Sequence, residues 1–124
     1  MAAASATIQE RLQHANSLKS EGDYDAAIAA FRAILEIDPH LADAHLGLGL
    51  SYLFAGMFDE SIEELKLAVD CQPESAEGRL HLAKTYTMLG MYEEARAEFE
   101  QVLGLADPGG PIHTEAKKQL SFFG

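Results

Sequence analysis

Acid–base or metal chemistry in this chain would have to come from 20 acidic residues, five histidines and a single cysteine. The carboxylates cluster at Glu60, Glu63 and Glu64, and again at Glu93, Glu94 and Glu98. Carboxyl catalysis needs two groups whose surroundings push their proton affinities apart. Repeated short spacings of like charges describe a water-facing helix side instead, and that is the expectation here. His14, His40, His45, His81 and His113 form no HExxH and no Cys/His ligand spacing, so no metal site is expected. No glycine-rich loop lies between a strand and a helix, so no phosphate cradle is implied. The residues therefore point away from an enzyme, and no cofactor is expected.

Composition narrows the partners. The formal net charge is −11, from nine basic residues against the 20 acidic ones. Nucleic acid and anionic membrane surfaces are disfavoured, because phosphate binding needs clustered Lys and Arg. Hydrophobic residues make up 48% and charged residues 23%, so the chain is expected to fold. Its 124 residues suit one domain. One cysteine allows no internal disulfide. The start, Met1-Ala-Ala-Ala-Ser-Ala, has neither a basic region nor an apolar core, and no segment is long enough for insertion into a membrane. A cytoplasmic location is the expectation.

What remains is a chain whose organising stretch is apolar. His45 to Gly56 reads HLGLGLSYLFAG. The alternation at Leu48-Gly49-Leu50 suggests a strand, but Leu53 and Phe54 break it and the apolar run exceeds ten residues, which favours a helix. That helix carries two stripes, one of Leu48, Tyr52 and Ala55, the other of Leu46, Leu50, Leu53 and Phe54. A helix apolar all round must be covered on several sides, by this chain or by a partner.

The stretch is one of three copies. Gly22-Asp23-Tyr24, Gly56-Met57-Phe58 and Gly90-Met91-Tyr92 recur every 34 residues. Small residues keep the same step at Ala15, Gly49 and Ala83, and at Ala27, Ser61 and Ala95. Large ones keep it at Leu18, Tyr52 and Tyr86, and at Phe31, Leu65 and Phe99. Cys71 shares a column with Ile37 and Leu105, which predicts a buried small hydrophobe and not a nucleophile.

Each unit reads as two helices around a glycine turn. The first helix is predicted from Ile8 to Ser20, with Thr7 and Glu10 as a capping box and Gly22 as the left-handed residue after its end. The second is predicted from Tyr24 to Ile37, stopped by Pro39. The pattern repeats over 42–75 and 76–109, with Ser75 as a cap. Small residues are expected where paired helices approach closely, and Tyr24, Phe58 and Tyr92 are expected to plug the gaps between units. After Asp107-Pro-Gly-Gly-Pro111 a seventh helix is predicted over about 112–122. It puts Ile112, Ala116, Leu120 and Phe123 on one face, as a helix covering the open end of a stack would.

The columns and their period resemble the tetratricopeptide repeat, a 34-residue helix-turn-helix unit. The resemblance covers three repeats from about Ile8 to Gly109, followed by the capping helix. It implies an all-α fold, a right-handed superhelical α-solenoid. There are departures: Arg11, His45 and Arg79 stand where the family usually has tryptophan, His14 sits in the column of Leu48 and Leu82, and Arg96 replaces an apolar residue seen as Ile28 and Ile62.

In tetratricopeptide proteins the first helices of successive repeats line a concave groove that binds a peptide or helix. Carried over, that groove holds Leu12, Asn16 and Lys19 from the first repeat. The second supplies Leu46, Gly47, Leu50, Leu53 and Phe54, and the third Leu80, His81, Lys84 and Met88. Gly47 in mid-helix suggests a need for space. The alternative, that these leucines only pack between neighbouring helices, stays open. The family's chaperone-binding modules grip a terminal carboxylate with Lys, Asn and Arg side chains. Asn16 matches one of those positions, but Leu12, Gly47, Glu77 and His81 occupy the others. That clamp is lacking, and heat-shock chaperone tails are disfavoured as ligands. The resemblance thus implies a protein-binding module, an adaptor, assembly factor or chaperone, for an apolar peptide or amphipathic helix with basic flanks. The rival expectations are a self-assembling scaffold, hence a homo-oligomer, and a regulatory domain of a larger enzyme.

Overall fold

Helix ends in this chain are set by local chemistry that the structure makes explicit. The computed structural model describes residues 6–123. Helix α1, Ile8–Ser20, begins at Thr7, whose hydroxyl accepts from the Glu10 backbone N–H at 3.0 Å. The Glu10 carboxylate in turn accepts from the Thr7 N–H at 2.8 Å, so two orphan donors are satisfied reciprocally. Gly22 takes φ of 84°, the left-handed conformation that costs glycine nothing. Gly56 and Gly90 repeat it at 83° and 78°, so each 34-residue unit turns at the same place.

The remaining helices are α2 (Tyr24–Ile37), α3 (Ala42–Phe54), α4 (Phe58–Cys71), α5 (Ala76–Met88), α6 (Tyr92–Leu105) and α7 (Pro111–Ser121). All regular structure among the described residues is helical. Ser75 caps α5 through its hydroxyl, which accepts from Gly78 N–H at 3.1 Å. The last helix starts one residue earlier than predicted, at Pro111, because proline suits the first helical position, where no N–H is needed.

The chain divides into two compact units, one ending at Cys71 and the other starting at Gln72. In the first, α1 packs on α2, α2 on α3 and α3 on α4, with α1 also meeting α3. Its core joins Leu12, Ala15, Ile28, Phe31, Ile34, Leu48 and Tyr52. The predicted small columns lie at the close approaches. Ala15 and Ala27 are fully buried. At Gly49 an added Cβ would stand 2.8 Å from Leu65 Cδ2, while the Ser61 hydroxyl donates to the Gly49 carbonyl at 2.8 Å. Two helices can cross this tightly only when one side lacks a side chain.

In the second unit α5 packs on α6, and α7 packs on α6 and touches α5. The face predicted for the seventh helix is the one it buries. Ala116 is enclosed, and the Phe123 ring lies 6.1 Å from Phe99 and 5.9 Å from Tyr92. Arg96, out of place in an apolar column, is explained by this helix. Its Nη2 donates to the Phe123 carbonyl at 2.7 Å and its guanidinium sits 5.7 Å from that ring's centre.

Three expectations need correction. Of the predicted plugs, Tyr24 meets Phe54 as a tilted ring pair with centroids 5.7 Å apart, but Phe58 and Tyr92 remain exposed. Cys71 is half-buried, not enclosed, and its column mates Ile37 and Leu105 are exposed; the three stand at the last residue of their helices. Glu64 and Glu98 do not belong to a water-facing side, because each is half-buried, Glu64 hydrogen-bonded to His45 and Glu98 ion-paired with Arg79.

Candidate protein-binding face

Helix α3 is enclosed over most of its length, as a helix with two apolar stripes must be. Buried polar groups on it satisfy themselves locally: Ser51 donates to the Gly47 carbonyl one turn back at 2.8 Å. In α5 Thr85 does the same to the His81 carbonyl at 2.8 Å. Tyr86, also on α5, has its hydroxyl pushed above the ordinary tyrosine range, chiefly by burial and further by the Glu98 and Glu94 charges.

The residues carried over to a groove divide by exposure. In the first unit Leu12 belongs to the core cluster, and Leu50 and Leu53 are buried, Leu50 at 8% exposure. Leu46 and Lys19 are half-buried, and Asn16 is open to solvent. Phe54, at the end of α3, is 53% exposed although its ring lies beside that of Tyr24. In the second unit Leu80 is buried, His81 half-buried and Lys84 exposed. Met88, at the end of α5, is 66% exposed. Gly47 is corrected. The space it provides is occupied by the Phe31 ring of α2, against which any added Cβ would collide, so it serves the packing of α2 on α3 and not an incoming chain.

Sequence reasoning missed a polar device at the family's tryptophan position. His45 is buried between two acceptors, Nε2 against the Pro39 carbonyl and Nδ1 against Glu64 Oε1, both at 2.8 Å. In the next repeat Arg79 donates from Nε to the Pro73 carbonyl and from Nη1 to Glu98 Oε1, both at 3.0 Å. A basic residue and a carboxylate 19 positions later replace the missing indole in both repeats. The constant separation was readable; that it means contact follows only from the pairing of the two helices.

Comparison with known proteins bears on what such a face does. The tetratricopeptide repeat profile matches residues 18–78 and again 55–111. The chain belongs to the tetratricopeptide repeat family. No curated protein matches the sequence. Among solved structures, the Yersinia enterocolitica type III secretion translocator chaperone SycD superposes with a TM-score of 0.85 at 20% identity, over 94% of this chain and 89% of its own. PcrH, solved in complex with the chaperone binding region of PopD, gives 0.84 at 19% identity, over 93% and 89%. The first tetratricopeptide domain of Spaghetti (RPAP3), bound to the HSP90 peptide SRMEEVD, gives 0.82 at 21% identity, over 94% and 91%. At these identities the likeness establishes the fold: tetratricopeptide repeats in an all-α, solenoid-type array, three of them with a capping helix. No described helix is long and apolar enough to cross a membrane.

Proposed function

We propose that this tetratricopeptide protein is a non-catalytic protein-binding module, an adaptor, assembly factor or chaperone. Its ligand is an apolar peptide or amphipathic helix taken against the first helices of the first two repeats, α1 and α3. The observation that carries this reading is Phe54, a large apolar ring left half open to solvent at the end of a helix whose Leu48, Leu50 and Leu53 are covered. Leu12, Leu50 and Leu53 form the packed support, while Asn16, Lys19, Leu46 and Phe54 supply contact. In the second unit, α5 offers a surface of its own of the same kind, with Leu80 as support and His81, Lys84 and Met88 for contact. Helix-in-groove recognition places apolar anchors of the ligand every three or four residues, which suits contact at Leu46 and Phe54 over the covered Leu50. Basic flanks on the ligand suit a chain of net charge −11.

The similar structures support the reading by what they hold: the chaperone binding region of PopD in PcrH, a peptide of the translocator YopD in a SycD structure, an HSP90 peptide in RPAP3. Of these the first two are the nearer analogy, since the carboxylate clamp is lacking here. A photo-crosslinking amino acid in place of Phe54 is expected to capture the partner, while the same group in place of Lys66, exposed on α4, is not. Equal capture at both positions would count against the face.

A further inference from the structure

The first repeat is unfinished at a place where the second and third are complete. His45 and Arg79 each reach back to a carbonyl of the preceding loop and sideways to a glutamate 19 residues on. Arg11 keeps the first half of that pattern, with Nε donating to the Ala6 carbonyl at 3.4 Å. The residue 19 positions after it is Ala30. Among the described residues no carboxylate pairs with Arg11. Its neighbour Glu10 is engaged by the Thr7 N–H.

A cavity of about 270 Å³ stands where the missing side chain would lie, lined by Ala6, Glu10, Arg11, His14, Ala30 and Ala33. Its size follows from truncation on α2: Ala30 and Ala33 stand in the columns of Glu64 and Leu67, and of Glu98 and Gln101. His14 stands in the column of Leu48 and Leu82, both buried, but is itself exposed and adds a second basic side chain.

We propose that this cavity is a carboxylate-binding site into which a partner protein inserts an aspartate or glutamate side chain, supplying from outside the carboxylate that Glu64 and Glu98 provide within the chain. A volume below the roughly 300–1,000 Å³ of small-molecule pockets suits one side chain better than a whole metabolite. The planar guanidinium is built to take a carboxylate through two parallel N–H donors. Residues 1–5 contain no Asp or Glu, so that stretch has no carboxylate side chain to offer. A second copy is disfavoured, because two chains of net charge −11 repel. The site is on the first repeat alone and does not depend on the α3 face.

The test is an NMR titration of the whole chain, following the Arg11 Nε–Hε and His14 ring signals. The probes are a blocked alanine pentapeptide with a central glutamate, its glutamine counterpart, and free glutarate. The glutamate peptide is expected to shift both signals saturably and the glutamine peptide is not. Ala30→Glu should move the Arg11 signal without any peptide and abolish the response. Arg11→Gln should abolish the His14 response, and it decides the matter should Ala30→Glu fail to fold. Equal responses to the two peptides, no response to either, or an unchanged response in Arg11→Gln would overturn the site. A response to glutarate alone would overturn the protein side chain as its occupant.

Discussion

Gly47 and Gly104 are both helical glycines, and the structure gives them opposite roles. A methyl group at Gly47 would overlap the Phe31 ring, whereas one at Gly104 meets nothing within 4 Å. Helix propensity favours alanine at both by up to about 1 kcal/mol. At Gly47 the overlap outweighs that gain, since overpacking a core costs about 1–3 kcal/mol. Gly47→Ala is therefore expected to lower the denaturation midpoint and Gly104→Ala to raise it slightly. Denaturant melts of the two variants check this, and a stabilised Gly47→Ala would contradict the packing described. The need for space at Gly47 was legible in the sequence, but not its occupant, because only the α2–α3 crossing brings Phe31 there. Glu64 and Glu98 were misread for a related reason. Charge spacing along one helix says nothing about the basic residue facing it from another.

At the scale of elements, the sequence was far more telling. The period of 34 residues, the left-handed glycines and the caps at Thr7 and Ser75 are local signals, and local signals set helix ends. The capping box has a pH signature. The Thr7 backbone N–H bonded to Glu10, with the Thr7 hydroxyl second, holds that carboxyl below the ordinary glutamate value of 4.5. A carboxyl lowered in the folded state contributes stability above its unfolded value and loses it as pH falls through the folded one. The melting-temperature gap between the wild type and Glu10→Gln should therefore narrow on acidification below 4.5. A gap constant down to strongly acidic pH would contradict the assignment.

Helix α7 is structural by the same kind of argument. Just after its end, the Phe123 ring packs against Phe99 and the Phe123 carbonyl gives Arg96 its partner. Truncation after Gly109 should lower the melting temperature and the solubility, because short repeat arrays depend on neighbour interfaces and capped ends. An unchanged thermal melt would refute it.

For the whole molecule, the sequence conveyed class and charge, while the state of each first-helix side chain needed the fold. Leu50 and Phe54 look alike in the sequence, as two members of one apolar stripe. The structure separates them into a covered residue and an open one. A glutamate at Leu50 would be a buried unpaired charge, costing several kcal/mol. One at Phe54 would forfeit the ring pair with Tyr24, about 0.5–1.5 kcal/mol, and otherwise face water. The most direct test selects an amphipathic helical peptide against the folded protein by display and measures its affinity for the wild type and for Phe54→Glu, with thermal melts alongside. The account predicts that Phe54→Glu stays folded and loses the peptide, with wild-type NMR shifts on peptide binding concentrated at Leu46, Phe54 and their neighbours on α3. A folded Phe54→Glu that binds at full affinity, with shifts on α4 instead, would contradict it.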